Sequence, residues 1–119
     1  MKILIVLASL SFFAVSPSLA CLQTYGSVPG SVFPRVEYSL NWAGVTDNGK
    51  DVCDTAWGAA RLDHDGHFSV PCLAGYVYAF KTDGSTAWYS NGVSSYSVAQ
   101  SPQGVGGLNF EWHNTYFGC

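Results

Sequence analysis

Hydrophobic and polar residues alternate along much of the chain beyond residue 20. In the segment 35–45 every second residue from Val36 to Trp42 is hydrophobic, and the residues between them are polar. Gly75–Lys81 and the segment 108–113 repeat this pattern. A period of two is typical of strands that bury one face, so we expect these hydrophobic residues, Trp42 included, to face a core. Shorter candidate strands are Thr55–Leu62, His67–Val70, Thr86–Ser90 and Val93–Ala99.

Tight turns separate the candidate strands. Asparagine or aspartate followed by glycine favours a hairpin turn, because both residues accept a positive φ. Beyond residue 20 no long segment has the period of an amphipathic helix, although Cys53–Ala60 has room for a short turn, and Ser101–Gly107 is predicted to be a loop. We therefore predict an all-β domain, a small antiparallel β-sandwich or β-barrel. The turn pairs are Asn48-Gly49, Asp65-Gly66, Asp83-Gly84 and Asn91-Gly92.

The first 20 residues follow a different pattern. Lys2 precedes an apolar run that extends from Ile3 to Val15, and Ser18-Leu19-Ala20 has the small residues that signal peptidase accepts. The run is shorter than the roughly 20 residues that a membrane span requires. We predict a signal peptide over residues 1–20 and one secreted domain over residues 21–119, with no membrane insertion.

The charged residues exclude some partners. Without Lys2, four lysines and arginines remain against eight aspartates and glutamates, a net charge of −4. An acidic chain with scattered basic residues lacks the positive surface that nucleic acids require. No phosphate-binding or cofactor motif occurs either, so we expect no nucleic acid and no cofactor.

The four cysteines all lie beyond the predicted leader. An even number of cysteines in a short exported chain predicts disulfide bonds. Pairing Cys53 with Cys72 closes a loop of about 20 residues and contributes roughly 3 kcal/mol of stability. That pairing leaves Cys21 with Cys119, which joins the two ends of the domain. The pattern Cys21 with Cys53 and Cys72 with Cys119 is an open alternative.

The densest group of potential metal ligands is Asp63-His64-Asp65-Gly66-His67. Alternate residues of a strand share a face, and Asp-x-Asp-Gly is typical of the start of a calcium loop. Such a loop needs an acidic residue at its end, but residues 70–75 are uncharged. We interpret the segment as a polar hairpin tip that binds no metal.

A hydrolase is the main enzymatic alternative. The acidic composition resembles that of the small guanyl-specific fungal ribonucleases, whose catalytic residues follow the order His, Glu, Arg, His. Here Glu37, Arg61 and His113 follow that order, but no histidine precedes Glu37. No Gly-x-Ser-x-Gly motif occurs, and the cysteines are expected to be bridged. We therefore predict no catalytic residues and keep an extracellular, ribonuclease-like hydrolase as an alternative.

Trp88 and Tyr89 are the candidate binding residues. Adjacent residues in a strand point to opposite faces, so one of this pair is expected to be exposed. An exposed tryptophan or tyrosine anchors a protein partner or stacks against a sugar. A row of such residues would favour a further alternative, a carbohydrate-binding or antimicrobial module.

Several short motifs follow one another in a recognisable order. The run Tyr38-Ser39-Leu40-Asn41-Trp42 precedes Asp47-Asn48-Gly49, Asp51-Val52-Cys53, a hairpin that ends at Cys72, and Phe80-Lys81-Thr82-Asp83-Gly84. Over Tyr38 to Asn91 this order is similar to the fungal Alt a 1-like family, small exported β-barrel proteins that act as allergens and elicitors of plant cell death. The single cysteine at the end of the chain departs from that family's second local bridge.

More broadly, the chain resembles the small cysteine-stapled effectors that plant-associated fungi secrete. This resemblance implies a non-enzymatic effector or elicitor that modulates plant defence or cell death. It also implies a host plant protein or a cell-wall component as the partner, either in the apoplast or inside the host cell.

Overall fold

The computed structural model describes residues 21–29, 40–105 and 109–117, and within them the protein is built from antiparallel strands. The predicted leader, Glu37 and Cys119 lie outside the described residues. Among those that are described, no helix is long and apolar enough to cross a membrane. The strands are β1 (Leu22–Pro29), β2 (Trp42–Asp47), β3 (Lys50–Asp54), β4 (Arg61–Leu62), β5 (His67–Ser69), β6 (Val77–Lys81), β7 (Thr86–Ser90), β8 (Ser95–Ala99), β9 (Gln103–Val105) and β10 (Asn109–Tyr116).

The strands form two five-stranded antiparallel sheets. The first sheet has the order β3-β2-β1-β10-β9, and the second has the order β4-β5-β6-β7-β8. Their inner faces pack together: the ring of Trp112 in β10 lies 5.2 Å from that of Phe80 in β6, and its Nε1 donates a hydrogen bond to the hydroxyl of Tyr78. The predicted all-β class is confirmed, and the two packed sheets correspond to the sandwich form.

The core lies between the sheets and is rich in aromatic residues. Tyr78, Phe80 and Tyr89 of the second sheet are almost fully buried. The hydroxyl of Tyr78 donates to Oε1 of Gln100 over 2.6 Å, so its polar end is satisfied inside the core. The first sheet contributes Leu22, Val28, Ala43, Val45, Val52 and Trp112.

The predicted turns are confirmed. At the tip of the β2–β3 hairpin, Asn48 and Gly49 have φ angles of 53° and 82°. Both residues of a type I′ turn require a positive φ, which explains why this pair joins the two strands. The three other Asn-Gly and Asp-Gly pairs also lie between neighbouring strands of the second sheet, with their glycines at positive φ.

The predicted positions of the strands require several corrections. Thr55–Leu62 is a strand only at Arg61–Leu62, since Thr55–Trp57 forms a 3-10 turn in which the Ala56 N–H donates to the Asp54 carboxylate. Gln103–Val105, predicted to be a loop, pairs with β10 as an edge strand. Strand β1, at the centre of the first sheet, and strand β3, at one edge of it, were not among the predicted strands.

The orientation of Trp42 was also predicted wrongly. Ala43 and Val45 of β2 are buried, whereas Trp42 is 41% exposed. From Val36 to Trp42 the hydrophobic residues occupy even positions, whereas the buried residues of β2, Ala43 and Val45, occupy odd positions. Trp42 therefore lies on the outer face of the first sheet.

Cys53 and Cys72 form the predicted disulfide, with their Cα atoms 3.9 Å apart. The bridge joins β3 of the first sheet to the connection between β5 and β6 of the second. The alternative pairing of Cys21 with Cys53 was wrong. No cysteine within the described ranges is free. The bridge from Cys21 to Cys119 stays a prediction because Cys119 lies outside those ranges.

Candidate functional site

The outer face of the first sheet gathers aromatic and polar side chains from three adjacent strands. In the register of the sheet, Tyr25 of β1 pairs with Gly44 of β2 on one side and with His113 of β10 on the other. Ser27 pairs with Trp42 and with Glu111 in the next row. Side chains two residues apart share a face, so both rows point outward. We call Tyr25, Trp42, Glu111 and His113 the aromatic face.

Tyr25 is the centre of the aromatic face. A Cβ atom added to Gly44 would lie 2.5 Å from the Tyr25 hydroxyl and 2.6 Å from its Cζ. The tyrosine ring therefore occupies the space that a side chain at this position would need. The missing side chain of Gly44 lets the ring lie against the sheet, where it is half-buried.

Two further rings border Tyr25. The Trp42 ring lies 6.4 Å away and is tilted by 41°, and the His113 ring meets Tyr25 edge-on at 6.2 Å. Both contacts lie in the range in which aromatic rings attract each other. Together with Val105, Glu111 and Trp112, these three residues line a shallow depression of about 510 Å³.

Hydrogen bonds between side chains fix the polar residues around the aromatic face. Nδ2 of Asn41 donates to Oγ of Ser27 over 3.0 Å and to Oδ1 of Asn109 over 3.1 Å, which ties β1 to the end of β10. Nε2 of His113 lies 3.1 Å from Oε1 of Gln23. The histidine and the row of Trp42 are thus positioned before any ligand arrives.

The aromatic face is acidic in character. Burial raises the pKa of Tyr25, and the carboxylates of Asp54 and Asp51 on β3 raise it further. The phenol consequently stays protonated and can donate a hydrogen bond across the ordinary pH range. None of the described residues that line the depression is a lysine or an arginine.

The predicted binding pair is divided between the two faces of the second sheet. Tyr89 points into the core, where it is 1% exposed and its hydroxyl donates to Oδ2 of Asp47. Trp88 points outward, and its ring stacks on that of His67 with 4.5 Å between centroids. The opposite orientation of adjacent residues is confirmed, and Trp88 is the member of the pair that faces outward, where it is partly buried.

Potential metal ligands converge at the tip between β4 and β5. One side-chain atom each from Asp63, Asp65 and His67 lies within 4.8 Å of the others. Oδ1 of Asp63 accepts the backbone N–H groups of Asp65 and His67, each over 2.9 Å. These bonds, the His67 bond above all, lower the pKa of Asp63 despite some desolvation. The carboxylate therefore orders the turn, and metal binding there needs a separate test.

The two described residues of the hydrolase alternative, Arg61 and His113, do not lie on the same sheet. Arg61 lies in β4 of the second sheet, and His113 lies in β10 of the first. Arg61 pairs with Ser69 on the outer side of its sheet, so the two side chains point away from the shared core on different sheets. Glu37 lies outside the described residues.

The aromatic face was not predicted from the sequence. Tyr25 was missed together with β1, and Trp42 was assigned to the core. In β1, Leu22 and Val28 are hydrophobic, but Thr24 and Gly26 stand between them, so the alternation is weak. Its only local signal was the polar or aromatic character of the intervening positions, Gln23, Tyr25 and Ser27.

Compared with known proteins, the chain matches no family model, no curated protein and no solved structure.

Proposed function

We propose that this protein is a secreted effector or elicitor that acts by binding a host component, without catalysis, and that the aromatic face is its contact surface. The observation that carries this proposal is the outward cluster of Trp42, Tyr25 and His113, which occupy two adjacent rows across β2, β1 and β10. Tryptophan and tyrosine are enriched among the residues that dominate binding energy. The resemblance to secreted fungal effectors and to the Alt a 1-like family supplies the host plant as the source of the partner.

Surface recognition also agrees with the arrangement of the titratable groups. A catalytic mechanism requires an acid, a base or a nucleophile within hydrogen-bond reach of a common point. Arg61 and His113 lie on different sheets, and the described hydrogen-bond partner of the His113 ring is an amide, that of Gln23. The polar groups of the aromatic face are suited to holding a ligand in place.

The experiment compares the leaf responses to two tryptophan variants. Purified oxidised protein is infiltrated with the variants Trp42→Ala and Trp88→Ala, and cell death or a defence response is scored. We expect Trp42→Ala to lose the response and Trp88→Ala to keep it. Circular dichroism on each variant separates lost binding from lost structure.

A folded Trp42→Ala protein with full activity would contradict the aromatic face as the contact surface. Loss of the response in Trp88→Ala alone would move the contact to the second sheet. The variant His113→Ala tests the enzymatic alternative: an inert, folded protein that still recovers its host partner would support a chemical step.

A further inference from the structure

The composition of the aromatic face differs from that of a protein-binding surface. The core of a protein interface is depleted of charged residues. Here the rings of Tyr25 and Trp42 line the same depression as a carboxylate, Glu111, and an imidazole, His113. Asp51 and Asp54 act on Tyr25 from β3, which lies beyond β2 in the same sheet. A ligand that matches this surface must offer apolar C–H faces and hydroxyl groups within the length of a few atoms, which is the chemistry of a sugar ring.

We propose that the aromatic face binds an uncharged polysaccharide chain, with neighbouring sugar rings stacked on Tyr25 and Trp42 and their hydroxyl groups bonded by Glu111 and His113. This inference rests on the proposed function and names the class of its host component. The Glu111 carboxylate accepts hydrogen bonds from sugar hydroxyls. The protonated phenol of Tyr25 donates one, and charge-assisted bonds of the carboxylate type are the stronger kind.

The distance between the rings fits one chain. Their centroids lie 6.4 Å apart, which is comparable with the length of one pyranose unit, so neighbouring units reach one ring each. The planes of the two rings are tilted by 41° relative to each other. Two tilted platforms accommodate a twisted single chain better than the flat surface of a crystalline polymer.

The charges select against acidic polysaccharides. The described lining of the depression offers a carboxylate and no lysine or arginine, and the carboxylates of Asp51 and Asp54 influence the same ring. Uronate units would bring like charges together, which is unfavourable. An uncharged chain avoids this repulsion and still uses the rings and the hydrogen-bonding groups.

Calorimetric titration of the oxidised protein tests the proposal with four probes. The uncharged ones are a β-linked glucan oligosaccharide and an N-acetylated chitin oligosaccharide, and the charged ones are polygalacturonate and chitosan. We expect at least one uncharged oligosaccharide to bind and polygalacturonate not to bind. Trp42→Ala should weaken binding by about tenfold, because an aromatic stack is worth up to roughly one such factor.

Trp57→Ala is the matched control. Trp57 is 47% exposed and lies in the 3-10 turn, outside the lining of the depression, so its loss should leave the affinity unchanged. Tyr25→Phe keeps the ring and should retain most of the affinity, whereas Tyr25→Ala should not. Equal losses in Trp42→Ala and Trp57→Ala would overturn the assignment of the site.

Other results overturn the proposal directly. These are the absence of binding to both uncharged oligosaccharides, binding to polygalacturonate, or binding to chitosan alone that disappears with added salt. If no glycan binds but the leaf response still depends on Trp42, the glycan is wrong and the proposed function stands. If a glycan binds but Trp42→Ala keeps the full leaf response, the glycan site stands and the proposed function fails.

Discussion

The outer faces of the two sheets use their tryptophans in different ways. Trp42 in the first sheet is 41% exposed, and its nearest ring is Tyr25, tilted and 6.4 Å away. Trp88 in the second sheet lies 4.5 Å from His67 and is partly buried. Both residues point outward from five-stranded antiparallel sheets, so position on a sheet alone does not make an aromatic side chain available.

Small residues beside each tryptophan explain why Trp88 is more buried than Trp42. Trp88 pairs with Ala79 of β6, and His67 lies on the far side of that strand, opposite Lys81. The small Ala79 side chain leaves room for the tryptophan to reach across β6 and stack on the histidine. In the first sheet, the Tyr25 ring fills the space above Gly44, and Trp42 lies at the border of the aromatic face.

The largest effect is expected from removing the bridge between the sheets. Cys53→Ser opens the Cys53–Cys72 disulfide and should lower the free energy of unfolding by about 2–5 kcal/mol, because the unfolded chain regains the freedom of the closed loop. Cys53 is also fully buried, so a hydroxyl there lies in the core. Urea denaturation followed by circular dichroism measures the change.

The double variant Cys53→Ser/Cys72→Ser is the control for a reactive free thiol. It should be destabilised to the same extent as the single variant. An unchanged unfolding midpoint in the single and the double variant would contradict this prediction. The two sheets would then stay packed without their covalent link, and the difference between their outer faces would not depend on the disulfide.

Variants of two glycines test the inner and outer faces of the first sheet separately. A Cβ atom at Gly26 would meet the indole of Trp112 at 2.2 Å, and this indole is buried in the core. Gly26→Ala should therefore destabilise the fold by about 1–3 kcal/mol through overpacking. Gly44→Ala meets the far end of the half-buried Tyr25, which can swing outward, so its thermal stability should change less.

Glycan titration makes the same pair of variants a test of the aromatic face. Gly44→Ala displaces the Tyr25 ring and should weaken binding, whereas folded Gly26→Ala should not. A larger loss of stability in Gly44→Ala than in Gly26→Ala would mean that the outer face contributes more to the fold than the inner contact with Trp112.

A buried tyrosine in the core between the sheets is expected to make the protein less stable in alkaline solution. Burial raises the pKa of Tyr78 above its ordinary value of 10, although its hydrogen bonds act in the opposite direction. The folded state thus holds this proton more tightly than the unfolded chain. The stabilisation is complete below pH 10 and falls above it, by about 1.4 kcal/mol per pH unit for each such tyrosine.

Urea unfolding at pH values between about 9 and about 11 measures this slope. Tyr78→Phe should be less stable below pH 10, because Trp112 Nε1 loses its acceptor, but its slope above pH 10 should be shallower by the contribution of one proton. Equal slopes in the two proteins would contradict a raised pKa at Tyr78.

The features that could be predicted from the sequence are local ones. The Asn48-Gly49 turn follows from the φ angles that two residues can adopt, and the opposite orientations of Trp88 and Tyr89 follow from the period of a strand. Strand β1 depends on distant partners: Gly26 is acceptable in the core because Trp112, 86 residues along the chain, fills its space. Such pairing leaves little trace in the local pattern.

The aromatic face was missed for the same reason. The alternation from Val36 to Trp42 predicted a buried tryptophan, but Ala43 and Val45 set the phase of β2 once it pairs with β1. Tyr25 can lie across β2 only because Gly44 is its partner in the register. The disulfide could be predicted between Cys53 and Cys72 because both cysteines flank one hairpin, although the sequence left a second pairing open.

The smallest effect is expected at the tip of the second sheet. Asp63, Asp65 and His67 bring their ligand atoms within 4.8 Å of one another, but Oδ1 of Asp63 already accepts two backbone hydrogen bonds that order the turn. We therefore expect a chelator to leave the melting temperature unchanged. A bound metal would raise the stability of the folded state by mass action, so a drop with chelator that calcium or zinc restores would contradict this interpretation. Asp65→Asn sharpens the test, since it removes one metal ligand and preserves both bonds to Asp63: it should melt like the unmodified protein, with or without added metal.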